Sequence, residues 1–228
     1  MQNKRQIGIV FIHGAGLGRW IWKDIKNLIK LPALYIDLPK KGTLEDSSNY
    51  ASDKIKTFGK EKIILVCHSA GGVVGIKIAD KIKGKLIGFI AVSAAIPRNK
   101  GSFLSCLPFP KNLIMSLAIR FAGTKPPNSA IVQGLCSDLT SEQAENVVKQ
   151  FKLESKDYYS DKSDAPAPDT KKLFIITLKD KELPEELQRK MASNLRTDDV
   201  VSIDSGHMPM LSKPKQLAEI INNFANKI

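Results

Sequence analysis

Cysteine is scarce in this chain: Cys67, Cys106 and Cys136 are odd in number and far apart. That excludes a disulfide framework, offers no metal-ligand spacing and fits reduced thiols. Histidine is equally sparse, at positions 13, 68 and 207, so any search for a general base is short. No apolar run approaches the roughly 18–20 residues that a transmembrane helix needs, so no membrane insertion is expected. The opening MQNKRQIGIVFIHG enters a strand-like run almost at once, which leaves no room for a signal peptide and makes the cytoplasm the expected location. Acidic residues are in deficit, 23 against 35 lysines and arginines, for a net charge of +12. The excess consists mostly of lysines dispersed as pairs such as Lys40–Lys41 and Lys171–Lys172, with few arginines and no basic block interleaved with aromatics. A solvated surface follows, rather than a nucleic-acid-binding face.

What is present is rhythm. Short apolar, β-branched runs at Gln6–Ile12, Ala33–Asp37, Lys62–Cys67, Leu86–Val92, Lys172–Leu178 and Asp199–Ile203 read as strands. Helical periodicity lies between them, near Trp20–Ile29, Tyr50–Phe58, Ala70–Ile82, Pro184–Asn194 and Pro214–Asn226. Strands apolar on both faces that alternate with helices predict an α/β fold, a mostly parallel sheet of about six strands in one domain spanning residues 1–228. The rhythm breaks between about residues 96 and 168, where most prolines fall and two predicted helices, Lys111–Phe121 and Thr140–Phe151, lead to no strand. Long excursions in compact domains are usually lids or binding loops, so this segment is expected to be a helical cap.

The run ILVCHSAGG (Ile64–Gly72) carries the first chemical signal. An apolar strand that ends in small residues around one serine fits the nucleophile elbow G-x-S-x-G, with Cys67 at the first glycine and Gly71 at the second. Ser69 is the candidate nucleophile, and it needs a base. His68 adjoins it but points away in such an elbow, and His13 reads as a loop brace. His207, in DSGHMPML, follows the last strand and precedes the last helix, where α/β sites gather. The base in turn needs a carboxylate, and on this fold the order is Ser, Asp or Glu, His. Asp180, just past KLFIITL, is the favoured acid; Glu182 is the near alternative, and Asp204 is too close to His207 in sequence. An oxyanion hole would use the backbone N–H of Ala70, after the serine, and of Ala15 in the loop HGAGLG. That loop lacks the third glycine of a dinucleotide fingerprint.

These pieces together resemble the α/β-hydrolase superfamily. HGAGLGRWIW (His13–Trp22), DLPKKG (Asp37–Gly42), CHSAGG, DKELPEELQ (Asp180–Gln188), SGHMPMLSKPKQLAEII and CSDLTSEQAENVV (Cys136–Val148) are similar to the plant-type methylesterase and hydroxynitrile lyase group. The resemblance spans nearly the whole chain and implies a catalytic set of Ser69, Asp180 and His207. Lyase members typically carry Thr and Lys where this chain has Gly14 and Met208, and Glu where it has His68, so all three positions imply the esterase side. One departure is Gly206, where the group usually has Asp directly before the histidine.

The expectation is a serine carboxylesterase acting on small or medium apolar esters, with a small-molecule ester as its partner, no metal or organic cofactor, no nucleic acid, and a monomeric or homodimeric state. A hydroxynitrile lyase and a catalytically silent ligand-binding protein are the rivals. His13, Gly14, Phe103, Leu107, Met115 and Met208 are the expected pocket residues, with Leu104, Phe109, Ile114 and Phe121 of the cap contributing apolar surface.

Overall fold

The structure, a computed structural model, describes residues 6–98, 100–197 and 199–228. Six strands, β1 (Ile7–Ile12), β2 (Ala33–Ile36), β3 (Lys62–His68), β4 (Leu86–Val92), β5 (Lys171–Thr177) and β6 (Val200–Ile203), form one sheet in the order β2-β1-β3-β4-β5-β6. Every neighbouring pair is parallel. Alternate strand residues feed two cores: Val10, Ile12, Leu65 and Cys67 on one face, Ile9, Phe11, Ile64 and Val66 on the other. Burial on both faces explains why the strands read as continuous apolar runs.

Helices α1 (Leu44–Thr57), α2 (Gly71–Lys81) and α8 (Glu185–Leu195) cover the first face, and α10 (Pro214–Asn226) the second. Between β4 and β5 the chain builds α3 (Phe103–Cys106), α4 (Lys111–Ala122), α5 (Asn128–Gly134), α6 (Ser141–Gln150) and α7 (Asp157–Ser160), and α9 (Pro209–Ser212) precedes α10. Among the described residues no helix is long and apolar enough to cross a membrane.

Two predicted helices differ. Helix α1 begins six residues before the expected Tyr50 because Thr43 and Asp46 form a reciprocal capping box. Trp20–Ile29 is not an α-helix but a 3₁₀ turn, Arg19–Trp22, continued by bonds such as Ile25 N–H to the Trp22 carbonyl (3.2 Å). Three residues per turn stack Trp22 over Ile25, both fully buried, in a segment whose aromatic and β-branched residues have weak helix preference.

The strand order reverses between β1 and β3, so the loops leaving their carboxyl ends diverge and open a crevice. The first loop begins at His13, the second at Ser69.

Candidate active site

Ser69 occupies the sharp turn between β3 and α2 with φ of 52°, a left-handed conformation that costs a side-chain-bearing residue energy. Its carbonyl accepts from the N–H groups of Gly72 (3.0 Å) and Ala95 (2.9 Å), which hold the turn. A Cβ on Gly71 would stand 2.4 Å from the His13 carbonyl oxygen, and one on Gly72 would stand 2.5 Å from that of Ala95, so both must be glycine. Cys67 fits the first elbow position because Gly75 leaves room for it: a Cβ there would lie 2.3 Å from the sulfur.

His207 closes a hydrogen-bonded chain. Its Nδ1–H donates to Asp180 Oδ2 at 2.7 Å and its Nε2 accepts from the Ser69 hydroxyl at 2.9 Å. Burial alone would depress its basicity, but the charge and hydrogen bond of Asp180, joined by the charge of Glu182, hold its pKa above the ordinary histidine value. Asp180, also buried, stays below the usual carboxylate range: against the cost of burial stand the charge and hydrogen bond of His207, the Leu183 N–H and the Thr177 hydroxyl. The N–H groups of Glu182 (2.8 Å) and Leu183 (2.9 Å) donate to Asp180 Oδ1, and Thr177 Oγ1 donates to Oδ2 at 2.9 Å. Buried Gln188 ties this loop together by donating to the carbonyls of Thr177 (3.0 Å) and Leu183 (2.6 Å). Asp180 is thus the carboxylate bonded to His207. Glu182 instead lines the neighbouring cavity, and Asp204 pairs with Lys179 at the surface, at 2.7 Å.

The other histidines brace the frame. His13 Nε2 accepts from the Leu38 N–H (3.1 Å) and its Nδ1–H donates to the Gly14 carbonyl (2.8 Å); burial, then the charge of Lys40, pushes its pKa down to about 4. His68 Nε2–H donates to the His207 carbonyl (2.9 Å), and burial, then His207, pushes its pKa down to about 3. Both rings are neutral at pH 7, and neither touches the Ser69 hydroxyl. Gly206 has its own reason: its N–H donates to Asp138 Oδ2 (2.6 Å), and a Cβ there would lie 2.5 Å from Oδ1. Asp138, from the α5–α6 connection, brings a carboxylate to the place where an aspartate at 206 would need room.

Ser69 and His207 open into a cavity of about 230 Å³. Its apolar walls include Phe103, Leu107, Met115, Ile131 and Phe151, and Lys111 and Glu182 add charge. Ala15 is in the wall, and the N–H groups of Ala15 and Ala70 have no hydrogen-bond partner among the described residues. Three expected wall residues lie elsewhere. His13 and Met208 are fully buried behind the site, Met208 within the second core, and Gly14 abuts Ser69, where a Cβ would come within 2.7 Å of the serine Cβ. Nor do Leu104, Phe109, Ile114 and Phe121 line the cavity. Helix α4 turns Lys111 and Met115, one turn apart, inward, and so turns Ile114 and Phe121 to solvent.

A strap from the cap holds the first loop, and it was not apparent from sequence. Lys40 donates to Glu154 (2.8 Å) and to the Leu17 carbonyl, Lys152 N–H donates to the Gly16 carbonyl (2.9 Å), and the Phe151 ring covers Gly16. Among the described residues no group of three or more His, Cys, Asp or Glu is arranged to hold a metal ion.

A parallel sheet with a serine elbow after β3, an aspartate after β5 and a histidine after β6 defines an α/β-hydrolase architecture. Residues 9–220 match the model of the Alpha/beta hydrolase family, and the chain belongs to it. It is 27% identical over 264 residues to Methylesterase 3 of Arabidopsis thaliana, covering 99% of this chain and 98% of that protein. Salicylic acid-binding protein 2 of Nicotiana tabacum is 27% identical over 256 residues, 96% of each. The solved structure of an extracellular alpha/beta-hydrolase from a Paenibacillus species shares the fold, with a TM-score of 0.87 at 17% identity over 95% of this chain and 98% of that one. The chain is an esterase-type α/β-hydrolase of the plant methylesterase group.

Proposed function

We propose that this protein is a serine carboxylesterase that cleaves small or medium, largely apolar esters through an acyl-enzyme on Ser69. The observation that carries the reading is the Asp180–His207–Ser69 chain of hydrogen bonds, 2.7 and 2.9 Å long, at the mouth of an apolar cavity. Ser69 Oγ attacks the ester carbonyl as His207 Nε2 takes its proton. Asp180 holds the imidazole tautomer and stabilises the imidazolium. The carbonyl oxygen, now an oxyanion, accepts from the N–H groups of Ala15 and Ala70; losing one such donor costs roughly 10²–10³ in turnover. Collapse expels the alcohol, which takes the proton from His207, and a water deprotonated by the same ring releases the acid. No step in this scheme calls on a metal or organic cofactor. The helical excursion between β4 and β5 acts as the cap that shapes the acyl pocket.

A second reading has one observation in its favour. Cyanohydrin cleavage needs a cation near the base, and Lys111 of α4 lies in the wall of the cavity that His207 enters. Its ammonium is already engaged by the Glu182 carbonyl at 2.8 Å, and Gly14 offers no hydroxyl, so ester hydrolysis is the stronger reading. A p-nitrophenyl ester series of rising acyl length, run beside Ser69→Ala and beside cyanide release from mandelonitrile, separates the two. Ester turnover that vanishes in the alanine variant supports the proposal. Equal rates in both proteins would end it. A folded protein whose Ser69 ignores a fluorophosphonate probe would point to the silent binding role.

A further inference from the structure

Helix α4 is unusual among the long helices: none of its residues is buried, although its sequence, KNLIMSLAIRFA, is mostly apolar. Lys111 and Met115 face the cavity, while Leu113, Ile114, Leu117 and Phe121 fall at spacings that place them together on the outer side. Phe109, just before the helix, is 79% exposed and Phe121, at its end, 80%; Ile114 is 63% exposed. A contiguous stripe of this kind on a soluble surface marks a contact site.

The charge around it selects the occupant. From Lys81 to Ser137 the chain contains no aspartate or glutamate, while Arg98, Lys100, Arg120 and Lys125, all exposed, fall in the sequence on and around α4. Arg120 lies 5.7 Å from the Phe121 ring centroid and is exposed beside it, and Lys156 donates to the Arg120 carbonyl at 2.9 Å. A second copy of the chain, docked face to face, would bring two such basic surfaces together in a molecule of net charge +12. A surface that is negative at its headgroups and apolar beneath matches both features at once. A twelve-residue helix is also far too short to span a bilayer.

We infer that the Phe109–Phe121 segment is a peripheral membrane-docking face that lays α4 into an anionic lipid surface, with the two phenylalanines as anchors. Arginine and lysine supply the salt-sensitive part of the attraction and the buried rings the salt-insensitive part. This docking does not depend on what Ser69 does. It goes beyond the expectation of no membrane insertion, since a helix on a lipid surface needs no spanning run.

Co-sedimentation of the full chain with phosphatidylcholine vesicles, with and without phosphatidylglycerol, tests it. The expected result is binding to the phosphatidylglycerol vesicles that falls about tenfold from low to high salt. The double variant Phe109→Ser/Phe121→Ser should lower partitioning by about tenfold or more at an unchanged thermal midpoint. Arg120→Gln/Lys125→Gln should weaken binding and flatten its salt dependence. A wild type that stays in the supernatant overturns the inference. So does a double serine variant that binds as well as wild type, because the lysines elsewhere would then suffice. Sedimentation equilibrium showing a wild-type dimer that the serine variant dissolves, without vesicles, would assign the face to a second copy instead.

Discussion

The roles of individual side chains separate because each makes a different bond. Asp180 is bonded to His207 and Glu182 is not, so Asp180→Asn should lower kcat by about 10⁴ while Glu182→Gln leaves it within a few-fold, measured on one soluble ester. The histidine also reports on its partner. His207 carries its proton to a pH above the ordinary 6.5 because Asp180 and Glu182 outweigh burial. The proposed mechanism needs the neutral ring, so the acid limb of kcat/KM should lie above that value in the wild type. Removing the Asp180 charge should move it to lower pH in whatever turnover Asp180→Asn retains. An acid limb that does not move would assign the titration to another group. Gly14 makes a third case. Its would-be Cβ lies 2.7 Å from the Ser69 Cβ, so Gly14→Ala should depress turnover of every ester in a series alike rather than change acyl preference.

Among the elements, strands were far more legible than the cap. The four central strands are β-branched apolar runs buried on both faces, a pattern that needs no knowledge of their neighbours, while the edge strands β2 and β6 are only partly buried. Ser69, Asp180 and His207 could be singled out for a related reason: each lies within four residues of a strand's carboxyl end. Periodicity does not mark the start of α1, because its signal is the pair Thr43 and Asp46. Thr43→Ala removes that cap, and a loss of about 1 kcal/mol in denaturant unfolding is expected. The orientation of α4 was not legible, since its apolar residues occupy both sides and only the position of β4 and the cavity decides which side turns in. Thr177, Gln188, Asp138, Lys40 and Glu154 carry no motif. Thr177 and Gln188 act through a loop-specific network within residues 177–188, and Asp138, Lys40 and Glu154 through contacts between segments up to 114 residues apart, as Lys40 and Glu154 are, none of which a motif encodes. That pair is nearly buried on the Glu154 side, so Lys40→Met should cost about 3–5 kcal/mol by leaving a carboxylate without its partner. Glu154→Gln in the same background should recover part of the loss.

For the molecule as a whole, the proposed mechanism makes activity and stability run in opposite directions with pH through the same proton. A group whose pKa is higher folded than unfolded stabilises the fold below its unfolded value, near 6.5 for histidine, and loses that contribution as pH rises through the folded value. His207 is such a group. The thermal midpoint should therefore fall over the interval in which kcat/KM climbs, and the slope should vanish in His207→Gln. Asp180 works at the other end: its depressed pKa keeps stability above the ordinary carboxylate value and gives it up as pH falls through the folded value. With all six strands parallel, every residue of the Asp180–His207–Ser69 hydrogen-bonded chain hangs from one rim of the sheet. The opposite rim, where β3 and β4 begin, turns at Gly59 and Gly84, and an added side chain at either would meet nothing within 4 Å. That rim is a construction site for the engineer. A flexible linker or small tag inserted at Gly84 should leave ester turnover intact, and the same insertion at Gly16 should abolish it.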